Sequence, residues 1–230
     1  MTIKRLAAVL LVFCLFLSKK AAATHAVGGE ISYQYVDSDA YLIKMIFYRN
    51  CSGVAAPSSI AVNADNACGY SNMVVFLNQD TVEDISDLCS SALSNCHGGT
   101  YRGYERYSYS GIIHIPGPCS RWTFSHTESS RSSEITTINL NQNLYVYADL
   151  NNSVLDHSSP EFLAVAIPNS CINQNYCITN TAFGSANDSL VYRLIDPLRN
   201  SGTAVNYHTG YSATQPVSGV VVFDTLTGTL

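Results

Sequence analysis

Charge is scarce in this sequence. Only 13% of its 230 residues are Asp, Glu, Lys or Arg, about half the ~25% of an ordinary soluble domain. Surface polarity has to come from Ser, Thr, Asn and Tyr instead. The composition of a disordered chain, low in hydrophobicity and high in charge, is missing too, because 47% of residues are hydrophobic. No collagen or heptad period occurs. Catalytic signatures are equally short. Gly210-Tyr211-Ser212-Ala213-Thr214 opens like a nucleophile elbow but lacks the closing glycine. There is no phosphate loop, no dinucleotide fingerprint and no H-E-x-x-H. Six histidines (His25, His97, His114, His126, His157 and His208) stand singly. A Ser-rich chain always offers imaginary Ser/His/Asp sets, so none is read here.

What is present begins with an export signal. Lys4 and Arg5 precede an uncharged, largely apolar run from Leu6 to Ser18, then Lys19, Lys20 and Ala21-Ala22-Ala23. That order reads as a secretory signal peptide over residues 1–23, the run being too short for the ~20 residues of a spanning helix. A lipoprotein attached through Cys14 is the rival, but Phe13 stands where that processing wants a small residue. Removing the signal takes away four cations and leaves eight basic residues, Lys44 the only lysine, against seventeen acidic ones, a net charge of −9. Without a basic stripe there is no counterion release to drive nucleic-acid binding, and anionic lipid is disfavoured likewise.

Seven cysteines remain after Cys14, and in an oxidising compartment they read as disulfide partners. Sequence proximity suggests Cys89 with Cys96, Cys171 with Cys177 and, more loosely, Cys51 with Cys68, which leaves Cys119 unmatched. Spacing alone does not fix the connectivity. A zinc reading of Cys89-x6-Cys96-His97 lacks the second ligand pair that structural zinc needs.

Strand patterns dominate. Over Tyr41–Tyr48, Ile43, Met45 and Phe47 alternate with Leu42, Lys44, Ile46 and Tyr48, and the first set reads as the core side. Met73–Leu77 is a short apolar run that suits a buried strand. Tyr107, Tyr109, Ile113 and Ile115 alternate with Ser108, Ser110, Ile112 and His114, and Leu144, Val146, Ala148 and Leu150 oppose Tyr145, Tyr147 and Asp149. Val82–Leu93 is the best helix candidate, but it has no 3.6 period and its serines favour a loop. Many short strands between turn clusters imply an all-β chain of antiparallel sandwiches. A boundary near Asp156–Pro160 divides residues 24–156, one sandwich with a disulfide-stapled loop at about 80–100, from residues 157–230. The second unit, with strands at Phe162–Ile167, Ser189–Leu194 and Val220–Phe223, ends without closing strands, so the chain reads as a fragment of something longer.

Site candidates are few. Glu105, Glu128, Glu134 and Asp149 could supply a carboxylate pair for glycoside hydrolysis, with solvated surface acids as the plainer reading. Tyr101, Tyr104, Tyr107 and Tyr109 form a dense aromatic cluster that suits sugar stacking or protein contact if exposed, and cross-strand pairing within the sheet otherwise. Asn50, Asn151 and Asn187 head N-x-S sequons.

Several motifs, in order, resemble one family. Thr24-His25-Ala26-Val27-Gly28-Gly29-Glu30-Ile31-Ser32-Tyr33 is similar to the opening of large surface proteins from gliding Bacteroidetes. Tyr48-Arg49-Asn50-Cys51, Gly99-Thr100-Tyr101-Arg102-Gly103, Trp122-Thr123-Phe124-Ser125, Asn152-Ser153 through Ser158-Ser159-Pro160-Glu161-Phe162 and Asp188–Leu194 follow, with Gly210–Pro216 and Asp224-x-x-Thr227-Gly228 last. The resemblance implies the N-terminal segment of a gliding-motility-associated surface protein with immunoglobulin- or cadherin-like sandwiches, sent out by type IX secretion. It carries a role in adhesion and no catalytic residues.

It also implies sites. The family's calcium-holding D-P-D-G-D is reduced here to Gly184–Asp188, and one carboxylate, Asp188, makes a poor calcium ligand set. Ser129 and Ser130 stand where the family often has paired cysteines, which would leave Cys119 without its partner. Asp80-Thr81-Val82, Asp188-Ser189-Leu190 and Asp224-Thr225-Leu226 resemble O-glycosylation acceptors, at Thr81, Ser189 and Thr225. The reading is a non-enzymatic, cofactor-free adhesive or structural module, secreted or on the outer cell surface, whose partners are surface glycans or other cell-surface proteins. The alternatives are a carbohydrate-binding module of a secreted hydrolase, or such a hydrolase itself.

Overall fold

Aromatic and β-branched residues alternating with Ser, Asn and Thr fit a pleated, half-buried surface, and strands are what this chain forms. A computed structural model describes residues 26–89, 91–163, 175–184 and 188–230. The expected signal peptide and Cys171 lie outside those residues. Seven long strands come first: β1 (Ala26–Asp37), β2 (Ala40–Asn50), β3 (Ser59–Asn66), β4 (Met73–Asp84), β5 (Tyr104–His114), β6 (Trp122–Glu128) and β7 (Leu144–Leu150). Four short ones follow: β8 (Glu161–Phe162), β9 (Ala182–Phe183), β10 (Leu198–Asn200) and β11 (Thr203–Ala204). The only helix among the described residues is a 3-10 turn over Asn95–His97, and none is long and apolar enough to cross a membrane.

The sheet runs β1-β2-β5-β4-β3-β6-β7-β10-β11, with every ladder antiparallel. It curls until β1 lies against β7, where the Tyr33 hydroxyl donates to the Asp149 carbonyl at 3.1 Å. The concave face is the core. Ile43, Met45 and Phe47 of β2 point into it as their alternation predicts, beside Val62, Leu77, Tyr109, Trp122, Phe124 and Leu150. Each such side chain contributes on the order of 1.5–3 kcal/mol by leaving water. Trp122 is fully buried, stacks on Tyr70 with ring centroids 5.7 Å apart, and donates Nε1–H to the Gly117 carbonyl at 3.2 Å.

Two expectations need correction. Met73–Leu77 is a strand but not a buried one: Val75 and Leu77 face the core, whereas Val74 and Phe76 point outward, 52% and 68% exposed. A short apolar run looks the same whether one face is covered or two. The segment Val82–Leu93, which the sequence reads as loop rather than helix, has no helix among its described residues, and Val82–Asp84 completes β4. The expected pairings Cys51–Cys68 and Cys89–Cys96 are absent, because strand order and not sequence proximity decides which ends meet. Cys68 and Cys119 lie just past Asn66 and before Trp122, the last rung of the β3–β6 ladder, and they are joined; Cys119 is therefore not the unmatched cysteine. Cys51 follows Asn50, paired with Tyr104 at the end of β2–β5, and is joined to Cys96 in the returning loop. That loop passes so close that a Cβ on Gly103 would sit 2.5 Å from Cys96 Sγ, so the position takes only glycine.

Residues around the expected boundary lie along the free edge of β1. The Ser159 amide donates to the Tyr33 carbonyl at 2.8 Å, and the amides of Tyr33 and Tyr35 donate to Ser159 Oγ and Ser158 Oγ at 2.8 and 3.0 Å. An edge strand with satisfied amides offers little to a foreign strand. Farther on, β10 pairs with β7 and extends the main sheet. Buried Gln142 pins the neighbouring chain, donating to the Asn206 carbonyl and accepting from the Asn206 amide. The segments Ser189–Leu194 and Val220–Phe223, expected to be strands, have no ladder.

Candidate functional site

The tyrosine cluster splits. Tyr107 and Tyr109 belong to the concave face of β5 and are 5% and 1% exposed, with stacked rings 6.2 Å apart. Burial pushes both hydroxyls to higher pKa, helped at Tyr107 by the bond to Glu105. Tyr104 is half-buried and Tyr101 exposed. The four side chains therefore do not share a contact face, and Tyr107 and Tyr109 are removed from the ligand-contact candidates. Their alternation along β5 carries them inward with Ile113.

The acidic candidates do not converge. Glu105 forms an ion pair with Arg49 and accepts from Tyr107 Oη at 2.8 Å at the mouth of the core. Glu134 holds Arg102 Nε at 2.9 Å. Asp149 accepts from Thr123 Oγ1 at 2.6 Å, and Glu128 lies 3.5 Å from His126 Nε2. One set of metal-type ligand atoms gathers among the described residues, Cys51, Cys96 and Glu105, all within 4.8 Å. Its two sulfurs are bonded to each other, and the thiolate form is what binds metal.

Cys89 and Cys177 are free and exposed; the Cys171 expected opposite Cys177 is outside the described residues. Asn50 is wholly buried, which closes its sequon to glycosylation, whereas Asn151 is exposed. Thr81, Ser189 and Thr225 are all exposed, but Thr81 sits within β4 with Oγ1 hydrogen-bonded to Ser108 Oγ at 2.7 Å. Asp188 is exposed too, and the three residues before it are not described.

Two features of the convex face were not singled out from the sequence. The first is an apolar patch. Leu42 pairs with Ile112 across β2–β5, and Val74 and Phe76 lie on the same face of β4 opposite Asn63 and Ala61. Ile112 is 56% exposed, like Val74 and Phe76. The second is a cleft of about 350 Å³ where residues near β8, Leu194 and Gly228 lie over the convex side of β1 and β2. Gly28 pairs with Tyr48 across the β1–β2 ladder, next to Glu30. Tyr48 Oη donates to Glu30 Oε1 at 3.2 Å. Burial raises the Glu30 pKa, and Glu161 adds to this, against the Tyr48 bond and the positive charge of Arg106. A single Glu in an apolar strand start gives no sequence signal that a distant segment will cover it.

Comparison with protein-family profiles, curated proteins and solved structures finds no match to this chain.

Proposed function

We propose that this chain is an exported, non-enzymatic module of a cell-surface protein, adhesive or structural in role, of the gliding-motility-associated type its motifs resemble. The observation that carries the reading is the patch of exposed Val74, Phe76 and Ile112, with half-buried Leu42 beside Ile112, on a sheet whose other face forms the core. Contiguous apolar surface of this kind marks interaction sites on soluble proteins. The rolled sheet serves as the rigid support, an immunoglobulin- or cadherin-like sandwich in this reading. Two disulfides fit an oxidising, extracellular setting. The partners are other cell-surface proteins or surface glycans, whose apolar ring faces stack on an exposed phenyl such as Phe76.

The test is adsorption of the purified chain to sensor surfaces coated with protein, with polysaccharide or with a plain hydrocarbon layer. The double variant Phe76→Ser/Ile112→Ser should lose on the order of tenfold in retention on at least one of the first two, with its melting temperature kept. Unchanged retention on both would remove the basis of the proposal.

A further inference from the structure

The cleft over β1 and β2 has walls of two kinds. Tyr48, Phe162, Tyr192 and Phe223 supply ring and hydrocarbon surface, while Glu30 and Arg193 bring one charge of each sign. Neither tyrosine hydroxyl is idle: Tyr48 Oη serves Glu30, and Tyr192 Oη accepts from the Ala182 amide at 2.9 Å and donates to the Ala182 carbonyl. Arg193 makes no hydrogen bond or ion pair with any described residue. Glu30 is held by a single phenol, although a carboxylate has about four acceptor positions.

We infer that this cleft binds a small apolar zwitterion, a free α-amino acid or dipeptide, with its ammonium on Glu30, its carboxylate on Arg193 and its side chain against the aromatic walls. Other ligand classes fit the charges less well. A neutral hydrocarbon leaves the half-buried Glu30 with one hydrogen bond and only the charge of Arg106 to offset its desolvation. A simple anion meets Glu30 as a like charge, and a simple cation meets Arg193 in the same way. A neutral sugar compensates neither charge and sets its hydroxyls against apolar walls. A zwitterion satisfies both charges at once, the half-buried Glu30 within the cleft and the exposed Arg193 at its rim. Size agrees, since the cleft is at the small end of ligand pockets. A carboxylate that burial drives toward its protonated form weakens the protein at neutral pH, and stability given up at one residue is the usual cost of a binding group.

Calorimetric titration of the full chain at neutral pH separates the outcomes, with phenylalanine, phenethylamine, phenylacetate and glucose as probes. Phenylalanine should bind with millimolar or tighter affinity, and phenethylamine and phenylacetate about tenfold more weakly. Glu30→Gln should weaken phenylalanine and phenethylamine about tenfold and leave phenylacetate unchanged or tighter. Arg193→Gln should weaken phenylalanine and phenylacetate and spare phenethylamine. No binding of phenylalanine at about tens of millimolar would overturn the inference. So would glucose binding in its place, or variants that titrate like the parent. Both substitutions are conservative in shape, and a thermal melt confirms that each variant is folded. The adsorption test reads Phe76 and Ile112 on another part of the convex face, so either proposal can fail without the other.

Discussion

Residues 26–150 and residues 188–230 carry similar apolar strand-like runs and bury them to different degrees. In the first stretch Ile43, Met45, Phe47, Leu77, Trp122 and Phe124 are almost entirely enclosed by neighbouring strands. In the second, Val191, Ile195, Val222 and Leu226 are largely exposed, and Val220 is 95% exposed. Alternation makes a strand possible, but only a facing layer makes it stable. Long strands in one rolled sheet supply that layer, whereas two- and three-residue strands at its margin do not. The second stretch is held mainly by polar contacts, such as Arg131 Nη2 donating to the Leu198 carbonyl at 3.0 Å and the two Gln142–Asn206 bonds.

The contrast can be broken or sharpened by substitution. Trp122→Ala should cost about 3–5 kcal/mol, because it opens a large void in the enclosed face, and chemical denaturation would read this as a lower midpoint at unchanged slope. Replacing both Cys68 and Cys119 by alanine frees a chain section of 51 residues and should cost about 4 kcal/mol on the loop-entropy account. A melt in which either variant matched the parent would mean the rolled sheet is not the stable body.

Glu30→Gln has a smaller effect with a sign set by pH. The folded pKa of Glu30 is raised, so the native state holds its proton more tightly than the unfolded chain does. Stability from this group is present below the ordinary carboxylate value and is lost as pH rises through the folded value. Gln carries no such dependence, so the variant should melt about one to a few degrees higher than the parent at pH 7 and lose that advantage in acid. An equal advantage at both pH values would show that the effect is packing. Val222→Ser is the smallest change, expected within about 0.5 kcal/mol of zero. A loss as large as that of Trp122→Ala would erase the difference between the two stretches.

How far the sequence went follows the same division. The core side of β2 was legible, because strict alternation over seven residues set Ile43, Met45 and Phe47 against a mixed face; on β5 the alternation was legible, but not that Tyr107 and Tyr109 face inward. The outward exposure of Phe76 was not, since a run of Met-Val-Val-Phe-Leu carries no period to read. Cysteine pairing was hidden because it depends on β3 lying beside β6 and on the loop before β5 folding back to β2. Glu30 escaped notice for a related reason: its neighbours Phe162, Tyr192, Arg193 and Phe223 are more than 130 residues away in sequence. The strands expected at Ser189–Leu194 and Val220–Phe223 show the converse, correct local patterns without partners to complete them.

Native-state hydrogen exchange followed residue by residue tests the central claim most directly. The account predicts that amides of β2, β3, β5 and β6 exchange only through global opening, while those of 188–196 and 217–223 exchange orders of magnitude faster. Equal protection in both stretches, or slow exchange over 217–223 with fast exchange in β2 and β5, would contradict it.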